Sequence, residues 1–420
     1  MSPVKSSGFL RHALRATLCG LWFIAIGCTG GPSAAEAPVT SPVNLEHILS
    51  LVDSLEVDGR NITFAHIYAD YPSYEPVPAT GEGISCVDDV GRLMEVLEVE
   101  ITHFGREELV PLVAGMARFL LYMQLEDGRW HNFIFADGSI NTTHRNSQAE
   151  VGWWAARGLR GLAAAYAVFA SRDPAFADTL KQQFNRTALL LNGWLDRYPA
   201  TAQTPLGPRA AWLPRNAPDQ SAEFLLALTR MHSSSSLDYS QQIQQLADGI
   251  LTYQHHSLEN STDGMFFCWE NGWHNWGNLQ ALALLEAYKV QGDSAYLAAV
   301  QRWAGGFLTW SVQNEYFWDV TISPGDSVAI REYPQIAYGI SSSYRGIHAL
   351  VTHTLSAEYS ALRDSLLGWF SGHNRAETAM YDHATGRCYD GINSSVQINH
   401  NSGAESTIEA LLALQYAAIP

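Results

Sequence analysis

Seven carboxylates stand at or just before the starts of apolar, helix-period runs: Asp88 and Asp89, Glu150, Asp219 and Glu223, Asp390 and Glu405. A set of this kind can hydrolyse a glycosidic bond, because one carboxyl must protonate the leaving oxygen while a second activates water or attacks the sugar. Asp89, Glu150, Asp390 and Glu405 are the expected acid–base set, with Asp88 beside them as a substrate contact. The same positions carry a structural reading. Ser85-x-x-Asp88, Ser147-x-x-Glu150, Asn216-x-x-Asp219 and Ser402-x-x-Glu405 match or approach a capping box, in which the acid bonds the backbone at a helix start. A carboxylate held by helix-terminal N–H groups favours ionisation, which suits it to act as base, nucleophile or ligand rather than as acid. Asp89 lies one position deeper and escapes the box. Asp390 sits in Cys388-Tyr389-Asp390-Gly391, which also reads as an Asp-Gly turn, and Glu270 lies among aromatics that could raise its pKa.

Five histidines, His131, His144, His274, His373 and His400, fall near loops preceding these runs. No pair has the i, i+4 spacing of a helical metal site, so neither a metal nor another cofactor is expected. Histidines gathered at one mouth would instead suit proton removal beside a carbonyl, with Arg145 and Arg345 binding a carboxylate or bridging nearby acids. The chain contains 13 Trp. An indole face stacks well on the apolar side of a sugar ring, so Trp130, Trp153, Trp273 and Trp276, with His131, His144 and His274, are expected to line sugar subsites. For any single Trp, packing in a large core is the simpler account.

The elements that must position these groups repeat. Six segments open with polar or small residues and continue as runs rich in Ala, Leu and Gly. Asp88, Glu150, Asp219, Asn278, Tyr344 and Glu405 mark them, 59 to 69 residues apart. Ahead of each comes a more amphipathic helix, expected over 45–55, 107–124, 175–198, 239–253, 294–310 and 357–370. Alternation of wet-faced and nearly apolar helices predicts an all-α ring of six outer/inner hairpins. The segments DGRWHNFIFADGS, DGMFFCWENGW, EYFWDVTISPGDS and TGRCYDGINSS place short aromatic β-hairpins or ordered loops before inner helices, on one face of the ring.

This pattern resembles the (α/α)6 toroid of many glycoside hydrolases, some polysaccharide lyases and sugar epimerases. More narrowly, DDVGR at Asp88–Arg92, LEDGRWHNF at Leu125–Phe133, TGRCYDGI at Thr385–Ile392 and NSGAESTIEALLAL at Asn401–Leu414 resemble a bacterial group of six-hairpin domains, some fused to glycosyltransferases. At the second inner helix this chain reads Gln148-Ala149-Glu150-Val151-Gly152 where that group has a His-Gly-Arg-Ala-Leu type of start. The resemblance implies the toroid and carbohydrate chemistry.

Lys5, Arg11 and Arg15 precede an apolar run from Ala16 to Ile26 that ends in small residues and Cys28, the layout of a secretory leader over 1–28. Ala25-Ile26-Gly27-Cys28 is similar to a lipobox, so lipid on Cys28 could attach the protein to a membrane, with 29–41 as a linker and 42–420 as the toroid; cleavage after Ala35 is the rival. A net charge of −17, made more negative by loss of the basic leader, excludes nucleic acid and disfavours polyanionic glycans. Beyond Cys28 only Cys86, Cys268 and Cys388 remain, too few and too scattered for a disulfide scaffold. The sequence therefore predicts an exported, periplasmic or surface-attached glycoside hydrolase acting on a neutral oligosaccharide or polysaccharide. A sugar epimerase or lyase using His, Tyr or Arg in the same cavity, or a non-catalytic glycan-binding lipoprotein, are the alternatives.

Overall fold

Six helices rich in Ala, Gly and Leu stand side by side around an axis, and a second set of amphipathic helices packs outside them. A computed structural model describes residues 40–257, 261–325 and 327–419. The leader, Cys28 and most of the linker lie outside the described residues. Helices alternate outer and inner along the chain: α1 (Glu46–Ser50), α2 (Val87–Thr102), α3 (Val110–Met123), α4 (Trp153–Phe169), α5 (Pro174–Leu190), α6 (Pro218–Ser234), α7 (Ser240–Thr252), α8 (Gln280–Gln291), α9 (Ser294–Trp303), α10 (Ala337–Thr354), α11 (Ser360–Phe370) and α12 (Ala404–Ala418). Each even-numbered helix touches the next, and α12 returns to α2, so the inner ring closes. This is an (α/α)6 toroid.

Burial follows the sequence pattern. Along α4, every residue from Trp154 to Ala165 is buried, as a helix packed on all sides requires. α5 instead buries only Ala177, Leu180, Phe184, Thr187 and Ala188, one stripe facing inward. Outer helices carry conventional starts: Asp173 accepts from the Phe176 N–H at 3.1 Å ahead of Pro174, and Asp293 accepts from the Ala295 N–H at 2.9 Å. Small residues let inner helices approach closely. A methyl group on Gly91 of α2 would stand 2.4 Å from the Arg157 carbonyl oxygen of α4.

One expected element differs. The first outer helix, predicted over 45–55, is a single turn, α1, followed by a hairpin of β1 (Val52–Val57) and β2 (Arg60–Ala65). Leu55-Glu56-Val57 alternates with strand period, and Asp58-Gly59 supplies the left-handed turn that closes a hairpin. Short strands lead into inner-helix starts on one face. β3 (Ser85–Cys86) pairs with β4 (Phe133–Ile134) and runs directly into α2. β5 (Gly272–His274) joins β6 (Asp319–Ser323) and β7 (Ser327–Arg331) in one sheet. β8 (Gln335–Ile336), β9 (Gly391–Ser394) and β10 (Gln397–Asn399) form another, whose strand β8 continues into α10.

Candidate functional site

At the N-terminal ends of the inner helices a cavity of about 290 Å³ opens, walled by α2, α4, α10 and α12 and by the loops ahead of them. Five carboxylates line it: Glu82, Asp88, Asp89, Asp390 and Glu405. Two guanidinium groups, on Arg92 and Arg157, stand among them. Asp88 and Asp89 come from the first turn of α2, and Glu405 from the first turn of α12, so helix periodicity aims all three at the axis. Asp390 reaches the same place from β9's approach. Its Oδ1 accepts from the Gly403 N–H at 3.1 Å and from the Ser406 hydroxyl at 2.6 Å, so it anchors the start of α12.

The capping boxes do not form. Gly403 precedes α12 and Gly152 precedes α4, neither with a side-chain cap. Ser147 Oγ instead accepts from the Asn132 and Phe133 N–H groups, and α2 is capped by Cys86, whose sulfur accepts from the Asp89 N–H. Glu405 is thus free of its expected backbone role, and its side chain is 46% exposed to the cavity.

Arg92 organises the carboxylates. One of its nitrogens, Nη2, donates to Asp89 Oδ1 at 2.7 Å and to Glu405 Oε2 at 2.9 Å, while Nη1 faces Glu409 at 3.4 Å. The Cys86 thiol donates to the other Asp89 oxygen at 3.2 Å. Burial pushes the Asp89 carboxyl up, Arg92 offsets part of that, and the Glu405 charge adds to the rise, leaving Asp89 at about 6. Burial likewise raises Asp390, against the pull of its Ser406 and Gly403 hydrogen bonds. Arg157 stands 3.3 Å from Asp88 and 3.4 Å from Glu223, donates to the Tyr338 hydroxyl at 3.0 Å, and lies over the Trp153 ring at 5.2 Å. Asp88 also accepts from Asn132 Nδ2 at 3.2 Å.

The other expected residues are distributed differently. Glu150 does not line the cavity. Its backbone pairs with that of Trp130, and its carboxylate is bound by Arg215. Trp130 is fully buried, with its indole N–H donated to Thr187 at 2.8 Å, and Trp273 is buried against Phe307. Neither can present a face to a ligand. His131 is also interior, 2.6 Å from the Ser147 carbonyl, and His144 packs edge-on against Phe133. Trp153 and Trp276 are half-buried, and Trp276 lies beside Trp318, whose ring is 4.5 Å away and which sequence reasoning missed. His274 is buried, 3.1 Å from Asp219, and no histidine lines the carboxylate cavity among the described residues.

Also missed were Arg92, Arg157, Cys86 and Tyr338. The signal was present for the arginines: an Arg within a helix that is buried on nearly every face requires an internal acid.

No family model matches the chain, and no curated protein sequence matches it. Solved structures do share its fold. A cellobiose 2-epimerase from Bacillus thermoamylovorans B4167 superposes with a TM-score of 0.65 at 12% identity, over 89% of this chain and 95% of that one. A D-mannose isomerase gives 0.60 at 14% identity over 84% and 91%. A family 76 glycoside hydrolase from a bovine Bacteroides thetaiotaomicron strain gives 0.54 at 13% over 89% and 76%. At these identities the likeness establishes the (α/α)6 toroid.

Proposed function

We propose that this protein is a glycoside hydrolase acting on a neutral oligosaccharide or polysaccharide, with Asp89 as proton donor and Glu405 as its partner carboxylate. The observation that carries this reading is the single Arg92 nitrogen shared by Asp89 and Glu405 in the cavity. Burial keeps Asp89 at about 6, so at mildly acidic pH it carries the proton that a general acid must deliver, while Glu405 faces the Arg92 guanidinium beside it. Their oxygens lie no further apart than the two Arg92 contacts laid end to end. That is short of the roughly 6.5–9.5 Å that leaves room for a water between an inverting pair. Retention of anomeric configuration is therefore expected, with Glu405 as nucleophile. Asp88 and Asp390 shape the pocket, and Trp153 stands behind it under the Arg157 guanidinium. Carbohydrate-processing enzymes among the structural neighbours support a sugar as the substrate class. Export rests on the leader, and the mass of the mature N-terminus would reveal a lipid on Cys28.

A panel of neutral glycans, assayed for new reducing ends and by NMR for anomeric outcome, tests the reading. Activity lost in both Asp89→Asn and Glu405→Gln, with the fold retained, is the expected result. A product changed only at one stereocentre or left unsaturated would move the assignment to the epimerase or lyase class, with Tyr338, Arg92 and Arg157 as the groups at hand.

A further inference from the structure

Beside the carboxylate cavity, Asp219, Cys268 and His274 bring a carboxylate oxygen, a sulfur and an imidazole nitrogen within 4.8 Å of one another. They come from the first turn of α6, the loop before β5 and the end of β5. All three side chains are buried, Cys268 completely. We propose that they form a binding site for a borderline-soft divalent cation of the zinc class, which staples the β5 strand to the start of α6.

Four observations converge on this. The His274 Nε2 to Asp219 Oδ2 distance of 3.1 Å is a hydrogen-bond length, and it is a few tenths of an ångström short of the roughly 3.3–3.6 Å between two ligand atoms on one tetrahedral ion with bonds of roughly 2.0–2.2 Å. The second Asp219 oxygen is engaged by the Gln220 N–H at 2.7 Å, which fixes the carboxylate and leaves Oδ2 for the shared position. The Cys268 sulfur receives the His274 N–H at 3.4 Å and Gln280 Nε2 at 3.8 Å and donates to the His274 carbonyl at 3.7 Å, contacts that fix the sulfur beside the imidazole. Finally, His274 is 1% exposed, so its imidazole meets Asp219 and Cys268 away from solvent.

The surroundings suit a closed site. Trp276 stacks on the imidazole with centroids 3.7 Å apart, and Trp269 lies 4.9 Å from it. A methyl group on Gly277 would stand 3.0 Å from the imidazole and 3.2 Å from Asp219 Oδ2, so glycine is needed where the chain passes this cluster. Thiolate, imidazole and carboxylate together select zinc-class ions over magnesium or calcium, which take oxygen ligands. On binding, the Cys268 thiol gives its proton to solvent and the sulfur lone pair bonds the ion, so uptake releases a proton.

The test uses the full chain, stripped with chelator and titrated with Co²⁺ and then Zn²⁺. About one Co²⁺ per chain should bind with a thiolate-to-cobalt charge-transfer band, which Zn²⁺ abolishes. Cys268→Ser should remove that band, and Asp219→Asn should weaken Co²⁺ binding by at least about tenfold. Cys388→Ser should retain the band. Absence of the band in the parent protein overturns the proposal whether or not the variants fold, as does a band that survives Cys268→Ser. Neither outcome bears on the hydrolase reading, which rests on Asp89 and Glu405.

Discussion

Asp89 is asked to hold a proton up to about pH 6, and the burial that makes this possible has a cost in stability. Its folded value of about 6 lies above its ordinary 3.8, so the contribution to stability is greatest below the ordinary value and declines as pH rises through about 6. Asp89→Asn lacks this titration. Measured against the parent by urea unfolding, the variant should gain about 1–3 kcal/mol between pH 4 and pH 8, while kcat/KM falls about 10²–10⁴-fold. In the parent, kcat/KM should decline as pH rises above about 6, because the working form of the acid is the protonated one. Glu150→Gln provides the contrast. Held by Arg215 outside the cavity, it should leave kcat/KM within about twofold of the parent, well short of what loss of an acid or base costs. At this scale the sequence was half legible. Asp88, Asp89 and Glu405 were found because the first turn of an inner helix faces the axis. Glu150 was misplaced because its run does not enter α4 directly: a bridge to Trp130 and the turn at Gly152 intervene, and spacing alone does not register them.

Helix pairs set where these acids stand, and α2 against α4 is the pair that matters most, carrying Asp88, Asp89 and Arg92 on one side and Arg157 on the other. Gly91 meets the backbone of Arg157, an atom that no rotamer change can move aside. Gly91→Ala should therefore destabilise the protein by about 1–3 kcal/mol in urea unfolding. It should also lower kcat/KM, by widening the 3.3 Å contact between Arg157 and Asp88. A loss of stability without any change in kcat/KM would show that Arg157 does not position the cavity. The helices were legible from the repeat, since period, length and amphipathicity agree for all the outer helices except the first. That exception has a local cause: Leu55-Glu56-Val57 alternates with strand period, and a left-handed Asp-Gly turn follows. The aromatic loops were legible as turns and short strands. Their pairing was not, because β5 with β6 and β8 with β9 join segments about fifty residues apart, where only the closed ring brings partners together.

Across the whole ring, cavities enter from both ends of the axis, of about 290 Å³ among the inner-helix starts and about 760 Å³ among their C-terminal halves. Between them runs a buried ladder of charge. Asp88, Arg157, Glu223, Arg160 and Glu95 form one side of it, and Asp89, Arg92, Glu409 and Arg345 the other. Burial alone would raise Glu223, but Arg160 and Arg157 overcome it and hold the carboxyl at about 2. Its folded value thus lies below the ordinary 4.5, so its contribution is complete above about 4.5 and is lost as pH falls from there toward 2. Removing that charge leaves two buried guanidinium groups short of a partner, which costs about 3–5 kcal/mol. Glu223→Gln should show that deficit at pH 7, and the gap between parent and variant should close as pH is lowered from 5 to 2. A gap that stayed constant over this interval would mean that Glu223 contributes through packing and its Tyr338 hydrogen bond alone. Closure would instead establish that the axis of the ring is held by ion pairs. The arginine that carries the Asp89–Glu405 pair would then sit at the upper end of a structure-wide charge network, and the acidity of the cavity would be coupled to the stability of the ring.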